Sequence, residues 1–138
     1  MADGSPQTCV AAATHLGVRD LAAFLRECCN TAGVDEMSVF DLELAMVEAA
    51  NNIVEHGYEE TGGGVIRLAV EIARGEVALL LEDEGRPAPA DLFALCRTAP
   101  LDATEGRGLG IVRSCVDLAD YSRAGSVNRL RLVKTLTA

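Results

Sequence analysis

VIRLAVEIARGEVALLLED, Val65 to Asp83, holds two apolar runs separated by Arg74-Gly75. In the first run Ile66, Leu68, Val70 and Ile72 recur at every second residue, the period of a strand that buries one face. The second run, Glu76 to Glu82, reads as another strand. A two-residue connection containing glycine is the signature of a hairpin, so the two strands are antiparallel neighbours. A carboxylate, Asp83, stands directly after the second strand.

Working upstream, residues 8–14 (TCVAAAT) fit a short first strand. From Gly17 to Thr31 the spacing of Val18, Leu21, Leu25 and Cys28 or Cys29 is helical, and Gly33 is placed to end that helix. A second helix is predicted from Asp35 to His56, with Gly57 capping it. On a 3.6-residue wheel Leu42, Met46, Ala49 and Ile53 share one side. Asp41, Glu48, Asn52 and Glu55 form a separate polar stripe. Downstream, residues 83–106 are irregular and hold three of the four prolines. A short helix fits near Ala90–Arg97. A connection this long inside a compact domain is usually functional. Gly108–Leu118 reads as a helix, and Ala119–Ala124 and Val127–Thr137 as two strands joined by Gly125-Ser126. The order β-α-α-β-β-loop-α-β-β predicts an α+β domain spanning residues 1–138, with helices on one face of the sheet.

The totals narrow the function. Hydrophobic residues make up 49% of the chain and aromatics 4%, so the core is built from Ala, Val, Leu and Ile. The formal charge of −9 is opposite to the basic surface that nucleic-acid binding draws on, and no nucleic-acid partner is expected. The five cysteines show no CxxC and no zinc-finger spacing with His15 and His56, as reduced thiols would. MADGSPQT lacks the charged and apolar regions of a signal peptide. No apolar run reaches the roughly 18 residues of a membrane span. A cytoplasmic location without membrane contact is expected.

Three stretches carry candidate chemistry. Glu48 and Asn52, four apart, stack on adjacent turns. A carboxylate and an amide oxygen there can hold a hard divalent ion and a water or hydroxyl group; the same pair also suits a plain solvated face. Asp83 opens Asp83-Glu84-Gly85-Arg86-Pro87. Its carboxylate can accept from an exocyclic amine such as that of adenine, and Gly85 lets a flat ring approach the backbone; a strand-ending turn has the same composition. EGRGLGIV, Glu105 to Val112, places Gly106, Gly108 and Gly110 at a helix start, where exposed N–H groups and partial positive charge bind phosphate. Arg107 adds a charge-assisted contact, and a flexible hinge is the competing reading. The spacing is not G-x-G-x-x-G, and no G-K-[ST] follows.

Together these stretches resemble the boxes of the GHKL-type ATPases, the group of histidine kinases, gyrase B and MutL. E-x-x-x-N is similar to the N box, DEGRP to the first glycine box (D-x-G-x-[GP]), and GRGLGIV, with Leu109, to the second (G-x-G-[LM]-G). Within the group the chain resembles the anti-sigma factor serine kinases of the RsbW and SpoIIAB type. Their N box reads much like EAxxNxxxHGY, matched here by Glu48, Ala49, Asn52, His56, Gly57 and Tyr58. The resemblance covers nearly the whole chain.

The resemblance implies a two-layer α/β sandwich with a mostly antiparallel mixed sheet. It implies ATP and Mg²⁺ as cofactors, with Asn52 as the metal ligand and Glu48 as general base toward a serine hydroxyl on a partner. By the same similarity Asp83 and Gly85 receive adenine, and Gly106, Arg107, Gly108, Leu109 and Gly110 wrap the phosphates. Residues 87–105 would form the lid over ATP. Two departures stand out. Arg107 is shifted by one place from the arginine of the E-R-S-G seen in many members. Gly125-Ser126-Val127-Asn128 replaces a final-strand G-T-T, leaving Asn128 as the stand-in near adenine. His56 matches the motif and suits a structural hydrogen bond, while Asp41 and Glu55 read as solvated rather than metal-binding. The implied function is a serine protein kinase and anti-sigma factor. It would phosphorylate a STAS-domain antagonist, bind a sigma factor and form a homodimer. A nucleotide-binding adaptor without transfer is the alternative. A detached histidine-kinase domain would need a helical dimerisation segment with a phosphorylatable His, and His15 follows no heptad pattern.

Overall fold

The structure is a computed structural model, and it describes residues 5–57, 64–85, 112 and 114–136. β1 (Gln7–Ala12) leads into α1 (His15–Thr31) and α2 (Glu36–Asn52), and α2 runs on into one π-helical turn, Ile53–Gly57. β2 (Val65–Ala73), β3 (Glu76–Asp83), β4 (Leu118–Ala124) and β5 (Val127–Thr135) complete the sheet. The strand order is β1-β2-β3-β5-β4, and every described ladder is antiparallel. This is the expected two-layer α+β arrangement with helices on one face of the sheet.

The local signals explain most of these elements. Thr14 caps α1 by accepting from the Gly17 N–H at 3.0 Å, and Asp35 caps α2 by accepting from the Ser38 N–H at 3.0 Å. Gly33 follows α1 at φ 78°, the left-handed conformation that ends a helix. Arg74 and Gly75, at φ 55° and 78°, are the two central residues of the β2–β3 hairpin. Positive φ at both positions is the type I′ turn, whose twist matches that of the strands it joins. Gly125, at φ 63°, opens the other two-residue hairpin.

Alternation places the core. Ile66, Leu68 and Val70 of β2, Val77, Leu79 and Leu81 of β3, and Leu130 and Leu132 of β5 are buried in one cluster with Leu21, Leu25, Leu42 and Met46 of the helices. Each such side chain is worth about 1.5–3 kcal/mol when buried, so together they fix the register. A slip of β3 by one residue would bring Glu82 inward and turn Asp83 out. Toward solvent, Arg67, Glu82 and Arg129 form one row across three strands, and Arg129 Nε donates to Glu82 Oε2 at 2.8 Å.

Several boundaries differ from the sequence reading. β1 begins at Gln7 and ends at Ala12 rather than Thr14, because Ala13 and Thr14 turn into the cap of α1. The second helix was expected to continue to His56, but its α-helical hydrogen bonding ends at Asn52 and widens at Ile53. Of the helix expected over 108–118, Val112, Ser114 and Cys115 are described and helical. Leu118 instead opens β4, opposite Val133. Thr135 rather than Thr137 ends β5 within the described residues. Among the described residues no helix is long and apolar enough to cross a membrane, and Cys9, Cys28, Cys29 and Cys115 are free thiols. Burial pushes the Cys29 thiol up to about 11.

Candidate functional site

The site begins where the apolar face of the sheet stops. Rungs Leu79–Leu132 and Leu81–Leu130 are followed by Asp83–Asn128, directly opposed across β3 and β5. By parity both side chains continue the buried, helix-facing row, and they are 7% and 3% exposed. A buried carboxylate and a buried amide are costly unless hydrogen-bonded, and here they satisfy one another. Asn128 Nδ2 donates to Asp83 Oδ1 at 3.0 Å and to the Gly85 carbonyl at 3.0 Å. The Gly85 N–H donates to Asp83 Oδ1 at 2.8 Å, closing a tight turn just past the strand. Among the described residues nothing donates to Asp83 Oδ2, which leaves that oxygen as an acceptor.

Two residues of β4 complete this corner, and the sequence reading did not single them out. Tyr121 Oη donates to Asn128 Oδ1 at 2.6 Å. Arg123 Nη1 donates to the same oxygen at 2.7 Å and to the Gly85 carbonyl at 3.2 Å. Arg123 stands opposite Asn128 in the β4–β5 ladder. The signal was available: in a two-residue hairpin at Gly125-Ser126 the pairing Ala124–Val127 puts Arg123 against Asn128. What the sequence hides is that β5 also lies beside β3.

Glu48 and Asn52 are half-buried on the last two turns of α2, next to buried Ala49. Neither has a hydrogen-bond partner among the described residues, so a carboxylate and an amide are available one turn apart on the helix layer. Asn52 is the final α-helical residue before the π turn. Such single wide turns recur at functional sites, where they re-aim the neighbouring side chains. Near this end of α2, His15 Nδ1 lies 3.1 Å from Asn51 Oδ1, and His15 Nε2 lies 3.7 Å from Glu55 Oε2. Glu55, expected to be solvated, is exposed beside the equally exposed His15.

Asp41, by contrast, is half-buried rather than solvated. Its Oδ2 is 3.3 Å from Lys134 Nζ, and that ammonium also donates to the Cys115 carbonyl at 3.4 Å. Lys134 shares the parity of Asn128 on β5, so it faces the helices and meets Asp41 there. Gly106, Arg107, Gly108, Leu109 and Gly110, the lid expected over 87–105, and Tyr58 lie outside the described residues. The structure thus brings Asp83, Gly85 and Asn128 together and puts Glu48 and Asn52 on the helix layer of the same sheet face.

Comparison with known proteins identifies the family and the fold. A family profile described as histidine kinase-like ATPase domain matches residues 10–134. An anti-sigma F factor of Clostridium botulinum (strain Eklund 17B / Type B) is 33% identical over 118 residues, covering 83% of this chain and 80% of that protein. A serine-protein kinase RsbW of Halalkalibacterium halodurans is 24% identical over 106 residues, covering 71% of this chain and 64% of that one. Among solved structures, the crystal structure of the RsbU and RsbW domains of a Mycobacterium tuberculosis protein superposes with a TM-score of 0.71 at 25% identity. That match covers 96% of this chain and 32% of the other.

Proposed function

The chain belongs to the histidine kinase-like ATPase domain family and, within it, to the anti-sigma factor kinases, and we propose that it transfers the γ-phosphoryl group of ATP to a serine of a protein partner. The partner is a STAS-domain antagonist, and a sigma factor is the second protein it holds. The observation that carries this reading is the buried Asp83–Asn128 rung at the end of an apolar sheet face. A carboxylate with one oxygen fixed by two donors and the other without a described partner is an acceptor shaped for an exocyclic amine. Gly85, pinned beside it, presents backbone without a side chain to a flat ring.

The donor set also fits magnesium. Among the described residues no group of three His, Cys, Asp or Glu side chains could form a cage for a metal. Mg²⁺ does not need one, since it is held by few protein oxygens together with phosphates and waters. Asn52 would supply an amide oxygen, and the bound ion would neutralise charge on the phosphates. Glu48, one turn earlier, would accept the proton of the serine hydroxyl; it must be ionised and within reach. Gly106, Gly108 and Gly110 would offer backbone N–H groups to phosphate oxygens, with Arg107 adding charge.

The test is incubation of the chain with γ-labelled ATP, Mg²⁺ and a STAS-domain protein of the same organism. Label on a serine of that protein is the expected result. ATP binding with no label on any serine would replace the kinase by a nucleotide-binding adaptor.

A further inference from the structure

The Asn128 amide is gripped at both ends, and its partners dictate which end is oxygen. A guanidinium only donates, and a backbone carbonyl only accepts. The atom 2.7 Å from Arg123 Nη1 must therefore be Oδ1, and the atom 3.0 Å from the Gly85 carbonyl must be Nδ2. Rotating the amide by half a turn would set N–H against guanidinium and oxygen against carbonyl, breaking both contacts. The Tyr121 hydroxyl, free to aim its proton, then adds a second donor to Oδ1 at 2.6 Å. Arg123 also reaches the Gly85 carbonyl. Its Nη1 donates to two neutral oxygens rather than to Asp83, so the aspartate is not consumed in an ion pair with it.

We propose that Tyr121 and Arg123 are positioning residues for purine selection: by holding Asn128 Oδ1 they commit Nδ2 to Asp83 Oδ1 and leave Oδ2 to accept from a 6-amino group. An adenine amine is a donor at that place. The 6-oxo group of guanine is an acceptor and would meet the carboxylate with repulsion and an unpaired oxygen. Neither residue needs to touch the base. Without them Nδ2 keeps its two acceptors, but the buried Oδ1 loses both donors, and an amide left unpaired at one end holds the carboxylate less firmly. The inference rests on the nucleotide reading proposed above and adds to it two residues on an edge strand.

The experiment measures binding, independently of phosphoryl transfer. Affinities for ATP and GTP with Mg²⁺ are obtained by competition against a fluorescent ATP analogue, for the full chain and for Tyr121→Phe, Arg123→Met and Arg123→Lys, with a melting curve for each. The unaltered chain is expected to prefer ATP. In Tyr121→Phe, which removes only a hydroxyl, the ATP-to-GTP preference falls about tenfold, about 1.4 kcal/mol, through weaker ATP binding, while GTP affinity changes by less than about twofold. Arg123→Met behaves likewise, and Arg123→Lys, which keeps a donor, recovers part of the preference. Variants that melt lower yet keep the full preference would overturn the inference and leave the nucleotide reading intact. An unaltered chain that binds ATP and GTP equally would overturn the inference, and one that binds neither would overturn the nucleotide reading with it. Should Arg123→Met fail to fold, Tyr121→Phe decides the matter alone.

Discussion

Glu48 and Asn52 are separated by one helical turn, and the proposed mechanism divides binding from proton transfer between them. Glu48→Gln keeps shape and polarity but cannot accept a proton. Phosphoryl transfer should fall by about 10²–10⁴-fold, with ATP affinity in a titration unchanged within about twofold. Asn52→Ala should instead weaken ATP binding in Mg²⁺ and matter less when the metal is chelated. Equal loss of affinity in both variants would contradict the division. This pair was legible because its spacing alone stacks the two side chains. The Asp83–Asn128 contact was legible only in half. Asp83 declared itself by ending an apolar strand, whereas its hydrogen bond to Asn128 spans 45 positions along the chain and depends on a ladder that no local pattern encodes. Tyr121 was hidden for the same reason, since an exposed-looking alternation in β4 gives no hint of what Asn128 does on its far side.

At the scale of elements, α1 is held against β1 by the absence of one side chain. A Cβ on Gly17 would lie 1.8 Å from the Ala12 carbonyl oxygen, a backbone atom that cannot swing aside. Gly17→Ala should therefore destabilise the fold by about 3 kcal/mol, at the upper end of overpacking costs, read as a lower urea midpoint. A loss near zero would mean that α1 can lift from the strand without cost. The start of α2 predicts a pH effect. Hydrogen bonds from the Ser38 hydroxyl and N–H hold the Asp35 carboxyl below its ordinary 3.8. Its contribution is thus complete above that value and is lost as pH falls through the lower folded-state value. Relative to Asp35→Asn, the unaltered chain should lose its stability advantage only below about pH 4, in melting curves taken from pH 6 downward. Both helices were readable from their apolar period and caps. The π turn was not, because Ile53 and Val54 continue the same period and only the offset of the backbone hydrogen bonds changes.

For the whole molecule, the hairpins and the one-sided helix layer followed from strand period and from two-residue turns. The order β1-β2-β3-β5-β4 did not, because β5 enters the sheet between β3 and β4 and only long-range packing of Leu79 on Leu132 and Leu81 on Leu130 selects that place. This insertion is what creates the site: it carries Asn128 to Asp83 and Lys134 to Asp41. A homodimer is the proposed assembly, and sedimentation at micromolar concentration should give twice the mass of 14.5 kDa; a single-chain mass would contradict it. The central claim is that the buried corner at the end of β3 receives the base of a magnesium-bound adenine nucleotide. Calorimetric titration of MgATP into the unaltered chain and into Asp83→Asn tests it most directly. The account predicts one nucleotide per chain for the former and at least about a tenfold weaker affinity for the latter, whose amide cannot reproduce the anionic acceptor. Equal affinity in the two proteins, or no heat of binding in the unaltered chain, would contradict it.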